Sequence, residues 1–159
     1  MSLVFSGPEV IEVAIRTEEN GKKFYTSHAE KTKAESVKSL FTYLANEEAK
    51  HIEDFSKLYD IVKETGEIIF GDYEEFKAYM ESFADSRFLT NFTAEADKIK
   101  DSTDAREVIE FAIGFEKETL LFYYGLLEFI SEKGRDIVKD IIEQEKAHVE
   151  KLTSIKSVL

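Results

Sequence analysis

Cysteine is absent from all 159 residues, which excludes disulfides, thiol nucleophiles, thiolate metal sites and iron–sulfur clusters. Proline occurs once, at position 8, and glycine only seven times. Few positions can therefore break a helix, and an all-α fold is expected before any periodicity is considered. No run approaches the ~18 consecutive apolar residues that a membrane helix needs. The start, MSLVFSGPEV, has neither the basic opening nor the apolar stretch of a secretory leader, so the expectation is a soluble, cytoplasmic protein. Bases are outnumbered, 21 against 33 acids, for a net charge of −12. Such a field repels phosphate backbones and argues against nucleic acid as a partner, while remaining compatible with cations. With 43% hydrophobic residues, a chain of this length forms one domain able to bury roughly 70% of its unfolded surface.

What is present is helical periodicity. Ser6 and Pro8 mark a helix start, and Val10, Ala14, Phe24 and Tyr25 recur near helical spacing over about residues 8 to 31. A second apolar stripe, Leu40, Phe41, Leu44, Phe55 and Leu58, predicts a helix over about 34 to 65, with Gly66 as its stop. A third helix is expected over about 104 to 132, capped by Ser102 or Thr103 and ended by Gly134, after which a fourth runs on. The outer pairs form two hairpins, 8–65 and 103–157. Between them, residues 66–102 carry two short helical patterns and the aromatics Phe70, Tyr73, Phe76, Tyr79, Phe83, Phe88 and Phe92. This segment reads as a crossover packed along a four-helix bundle. Its rings exceed what one flank needs, which motivates the expectation of a homodimer.

The two hairpins repeat one another. AIRTEENGKKFY (14–25) aligns without gaps on AIGFEKETLLFY (112–123), and LANEEAKHIEDF (44–55) on IIEQEKAHVEKL (141–152), at offsets of 98 and 97 residues. Glu18 thereby pairs with Glu116, Glu48 with Glu145 and His51 with His148. A lone Glu-x-x-His is common by chance; two in register are not. Helix geometry supplies a separate test. Glu18 and Glu48 are equidistant from residue 33, about fifteen residues or roughly 22 Å from the expected turn, so they lie at one level of the bundle. Glu116 and Glu145 are centred between 130 and 131, close to the second turn. Residues three apart share a helix face, so each Glu-x-x-His turns both groups inward.

Four carboxylates and two imidazoles converging in a core would be prohibitive as bare buried charges. Two divalent cations balance the four glutamates. Oxygen and imidazole donors favour iron or manganese and tolerate zinc. Other residues read more plainly. His28, ten residues after Glu18, is rotated away from the site and expected at the surface. Glu47, Glu53 and Glu150 are expected to be solvated. Tyr25 and Tyr123, two turns beyond Glu18 and Glu116, are either core tyrosines with bonded hydroxyls or supports and electron relays for the site. Asp54 lies one turn beyond His51, at the surface or within reach of the centre.

These four motifs resemble those of the rubrerythrin branch of the ferritin-like superfamily, over both hairpins and thus most of the chain. The resemblance implies a ferritin-like antiparallel bundle with Glu18, Glu48, His51, Glu116, Glu145 and His148 as ligands to two iron ions, Glu48 and Glu145 bridging. It further implies a peroxidase that reacts with hydrogen peroxide or dioxygen in oxidative-stress defence. The alternatives are a ferroxidase or a non-catalytic metal-binding bundle. Two departures stand out. The cysteine-rich rubredoxin domain of many relatives has no counterpart here, so electrons would come from an external donor such as a rubredoxin-like protein. An additional carboxylate one turn after the third-helix glutamate is replaced by Thr119, which modestly favours the alternatives.

Overall fold

The structure, a computed structural model, describes residues 7–65, 73–83 and 85–159. Ser6, Gly66, Phe70 and the ring of Tyr73 lie outside the described residues. Among the described residues six helices follow in order: α1 (Gly7–Lys31), α2 (Glu35–Thr65), α3 (Tyr73–Glu81), α4 (Phe92–Ile99), α5 (Ala105–Phe129) and α6 (Glu132–Ser157). α1 packs along α2, α5 along α6, and α2 meets α6, closing the bundle; α3 lies on α5 and α4 on α1. No described helix is long and apolar enough to cross a membrane.

The first hairpin turns at residues 32–34, where the Thr32 hydroxyl accepts from the Ala34 amide at 3.3 Å. The start of α5 corrects one expectation. Its cap is Asp104, which accepts from the amides of Arg106 at 3.0 Å and Glu107 at 3.4 Å, so the carboxylate satisfies two orphan donors at the positive helix end. Ser102 instead sits outside the helix and bonds to Glu107. A second correction concerns Gly134. The chain turns earlier, at Ile130 and Ser131, and Gly134 lies inside the first turn of α6. A Cβ there would stand 2.8 Å from Leu58 and 2.9 Å from Ile130, so the glycine serves close packing rather than helix termination.

The apolar core has two parts. One gathers Val10, Ile11, Phe55, Phe122, Leu126 and Ile141 towards the 130–131 turn. The other gathers Phe24, Phe41, Leu44, Ile109, Phe115 and Leu152 towards the 32–34 turn. Each such buried side chain stabilises the fold by about 1.5–3 kcal/mol. Between the two parts each long helix contributes a buried glutamate, joined on α2 and α6 by a histidine.

The described rings of the crossover pack against the bundle. Phe76 packs at a tilt against Phe129 at 4.8 Å and Phe92 against Phe115 at 4.9 Å, while Tyr79 donates its hydroxyl to the Leu121 carbonyl. Phe76 and Phe92 are buried, and Phe83 and Phe88 half-buried against the core. Phe76, Tyr79, Phe83, Phe88 and Phe92, the described aromatics of this segment, thus pack on the bundle flank.

Candidate metal centre

Glu18 comes from the middle of α1, Glu48 and His51 from α2, Glu116 from α5, and Glu145 and His148 from α6. All six are at most 1% exposed, and the structure brings all six together. His51 Nδ1 lies 3.3 Å from Glu18 Oε2, 3.3 Å from Glu48 Oε2 and 3.0 Å from Glu145 Oε1. His148 Nδ1 lies 2.8 Å from Glu145 Oε2, 3.6 Å from Glu48 Oε1 and 3.8 Å from Glu116 Oε1. Glu48 and Glu145 each direct one oxygen to each histidine, whereas Glu18 and Glu116 serve one side only. Two donor groups result, Glu18–Glu48–His51–Glu145 and Glu48–Glu116–Glu145–His148, each within 4.8 Å. The imidazole rings stack at 5.5 Å.

The electrostatics show what this arrangement demands. Burial and the neighbouring carboxylates push Glu48 and Glu116 well above the usual glutamate range, and burial with the Glu18 charge raises Glu145. Glu18 is lowered despite burial, because bonds with Glu48, His51 and Tyr123 outweigh it. Burial disfavours the charged form of His51, yet its bonds to Glu145, Glu18 and Glu48 hold it protonated. Burial lowers His148. Glu48 Oε1, Glu116 Oε2 and His148 Nε2 are buried without hydrogen-bond partners. Each such group costs about 1–3 kcal/mol, more when charged. Two overlapping oxygen-and-imidazole donor sets with unpaired lone pairs fit a pair of divalent cations of the iron, manganese or zinc type.

Tyr25 and Tyr123 cross the bundle. Tyr25 of α1 donates to Glu116 Oε1 on α5, and Tyr123 of α5 donates to Glu18 Oε1 on α1. Burial first, then the adjacent carboxylates, push both phenols well up, so they remain donors. Thr119 is buried one turn beyond Glu116, its hydroxyl without a partner. Asp54 does not join the centre; it is half-exposed and bonded to Lys57 at 3.0 Å. Glu53 and Glu150 are exposed as expected. Glu47 is not solvated: it is 9% exposed and paired with Lys50. His28 is not at the surface either. It is 4% exposed, with Phe24 at 4.5 Å and Phe41 at 6.4 Å, because the apolar stripe of α1 has a second flank that α2 and α4 cover. Burial lowers it to about 4, so it is neutral.

One residue escaped the sequence reading. Gln144 Oε1 lies 3.2 Å from His51 Nε2, on the side of the ring away from the cluster. Its signal was positional: it immediately precedes Glu145, as Glu47 precedes Glu48.

The geometry defines the class, a ferritin-like helical bundle with a carboxylate–histidine core, and the comparisons agree. The sequence profile of the rubrerythrin family matches residues 9–156, so the chain belongs to the rubrerythrin family. A solved structure from Thermotoga maritima, described as a ferritin-like diiron-carboxylate protein, is similar at 27% identity with a TM-score of 0.69, over 96% of this chain and 95% of that one. No curated protein matches the sequence significantly.

Proposed function

We propose that this bundle binds two iron ions between its hairpins and reduces hydrogen peroxide as a rubrerythrin-like peroxidase. The observation that carries the reading is the shared use of Glu48 and Glu145, each facing both histidines, in two overlapping buried donor sets. Membership of the rubrerythrin family and likeness to a protein described as diiron-carboxylate support iron over manganese or zinc. Glu18 with His51 would hold one ion and Glu116 with His148 the other, and the two shared carboxylates would bridge them. Bound iron would supply Lewis acidity and the two electrons that, with two protons, convert peroxide to water.

The protein's own contribution is position and exclusion. Tyr25 and Tyr123 each hold an outer carboxylate from the opposite hairpin, fixing which oxygen faces the centre. Burial of all six donors excludes bulk water and admits only small reagents, which favours peroxide or dioxygen over larger substrates. Each turnover consumes two electrons, and the chain has no cysteine with which to carry a rubredoxin-type iron. An external donor such as a rubredoxin-like protein would restore them.

Anaerobic loading with Fe²⁺ followed by stopped-flow mixing tests this reading. Binding of about two ions per chain and oxidation much faster with peroxide than with oxygen are expected. Rapid oxygen-driven oxidation of successive iron additions would instead establish a ferroxidase, the reading that Thr119 favours through its lack of a carboxylate. Binding without reaction would leave a metal-binding bundle.

A further inference from the structure

The two histidines are not held alike. His51 Nε2 meets Gln144 Oε1 at 3.2 Å, and the orientation of that amide is independently set, since Gln144 Nε2 donates to the Asp140 carbonyl at 3.2 Å. The oxygen therefore faces His51 and accepts from its Nε2–H, while Nδ1 faces Glu18, Glu48 and Glu145. His148 also presents Nδ1 to the carboxylates, but its Nε2 is buried with no partner.

The repeat explains the difference. The counterpart of Gln144 is Glu47, and three residues on the counterparts are Lys50 and Ala147. Lys50 draws the Glu47 carboxylate into an ion pair along its own helix. Ala147 offers nothing of the kind, so Gln144 is left to cross to α2 and bond His51.

We infer that Gln144 is a positioning residue that makes the His51 half of the centre the half that takes up an ion first. The inference rests on the two-ion reading above. An imidazole locked in ring orientation and tautomer loses less freedom when it ligates than one held on a single side. Supports of this kind are worth roughly 10–100-fold in metal affinity.

Titration calorimetry of the metal-free protein with Co²⁺, a redox-stable probe, provides the test. Two steps of unequal affinity are expected; His51→Ala should abolish the tighter step and His148→Ala the weaker. Gln144→Leu should weaken the tighter step by about 10–100-fold and leave the weaker within about threefold, while Gln144→Glu, which keeps an acceptor, should restore most of the loss. A merely structural role would not move a second readout. In the Zn²⁺-loaded protein the His51 Nε2–H should be protected from solvent exchange in nitrogen-15 NMR spectra, and Gln144→Leu should remove that protection. Two equal steps in the parent protein, or a Gln144→Leu effect absent or shared equally by both steps, would overturn the inference. Failure to bind Co²⁺, Zn²⁺ or Fe²⁺ at all would overturn the two-ion reading with it.

Discussion

The two hairpins share one frame, and they differ where their surroundings differ. Inward positions match: Glu18 with Glu116, Tyr25 with Tyr123, Glu48 with Glu145, His51 with His148 and Phe55 with Leu152. Outward positions on α1 and α5 diverge. Arg16 and Ser27 of the first hairpin correspond to Gly114 and Gly125 of the second. Those two glycines are where the crossover rings press against α5: a Cβ at Gly114 would lie 2.7 Å from Phe88, and one at Gly125 only 1.9 Å from Tyr79. At these α5 positions the crossover presses in through Phe88 and Tyr79, and it meets the first hairpin elsewhere, through α4, so duplicated helices acquire different outer faces while the interior is constrained by four-sided convergence on one centre.

Breaking the shared interior should have the largest effect. Glu48→Ala removes a carboxylate that faces both histidines, so binding of both ions should fall beyond detection in anaerobic equilibrium dialysis with Fe²⁺. Glu18→Ala, which touches one side, should retain about one ion. Equal losses from the two variants would show that the halves are not bridged as described.

Next comes the divergent back of α5. Gly125→Ala forces Tyr79 aside and should destabilise the protein by about 1–3 kcal/mol, read from the urea midpoint. Ser27→Ala at the matching place on α1 should stay within about 0.5 kcal/mol.

A smaller effect is expected at His28, whose counterpart in the second hairpin is the buried Leu126. The unfolded chain binds a proton there near pH 6.5, the folded chain only at about 4. A depressed folded value contributes stability above the unfolded one and loses it as pH falls towards the folded one. His28→Leu should therefore flatten the loss of stability between pH 6.5 and 4, with little change at pH 7.5, in denaturant midpoints measured across that range. An unchanged acid slope would place the ring in contact with water.

The smallest effect sharpens the histidine asymmetry. Lys50→Ala frees Glu47, whose charge already acts on His148, and should tighten the weaker Co²⁺ step by a few-fold, nearing the 10-fold scale of such supports at most. No change would mean that Glu47 cannot reach the ring.

Most of the site was legible because duplication wrote it twice. The levelling of Glu18 with Glu48 about residue 33 met a real turn at 32–34, and the 130–131 midpoint of Glu116 and Glu145 fell on the second turn itself, even though Gly134 suggested a later one. Glycine is ambiguous in sequence, since it ends helices and also admits close packing, and only neighbours such as Leu58 distinguish the two uses. His28 was misplaced by measuring its angle from Glu18 alone; comparison with Leu126 would have shown a core position. Glu47 looked like one more solvated acid because its burial depends on α6 lying across α2.

By itself the sequence determined the helices, the two hairpins and the six glutamates and histidines that converge, because helical periodicity and an internal repeat are local or self-referential properties of the chain. Tertiary structure alone decided that Tyr25 and Tyr123 reach across to each other's glutamates, that Gln144 rather than Glu47 meets a histidine, and that Tyr79 and Phe88 of the crossover pack on α5. Those choices depend on distances between helices far apart in the chain, which no spacing along one helix records.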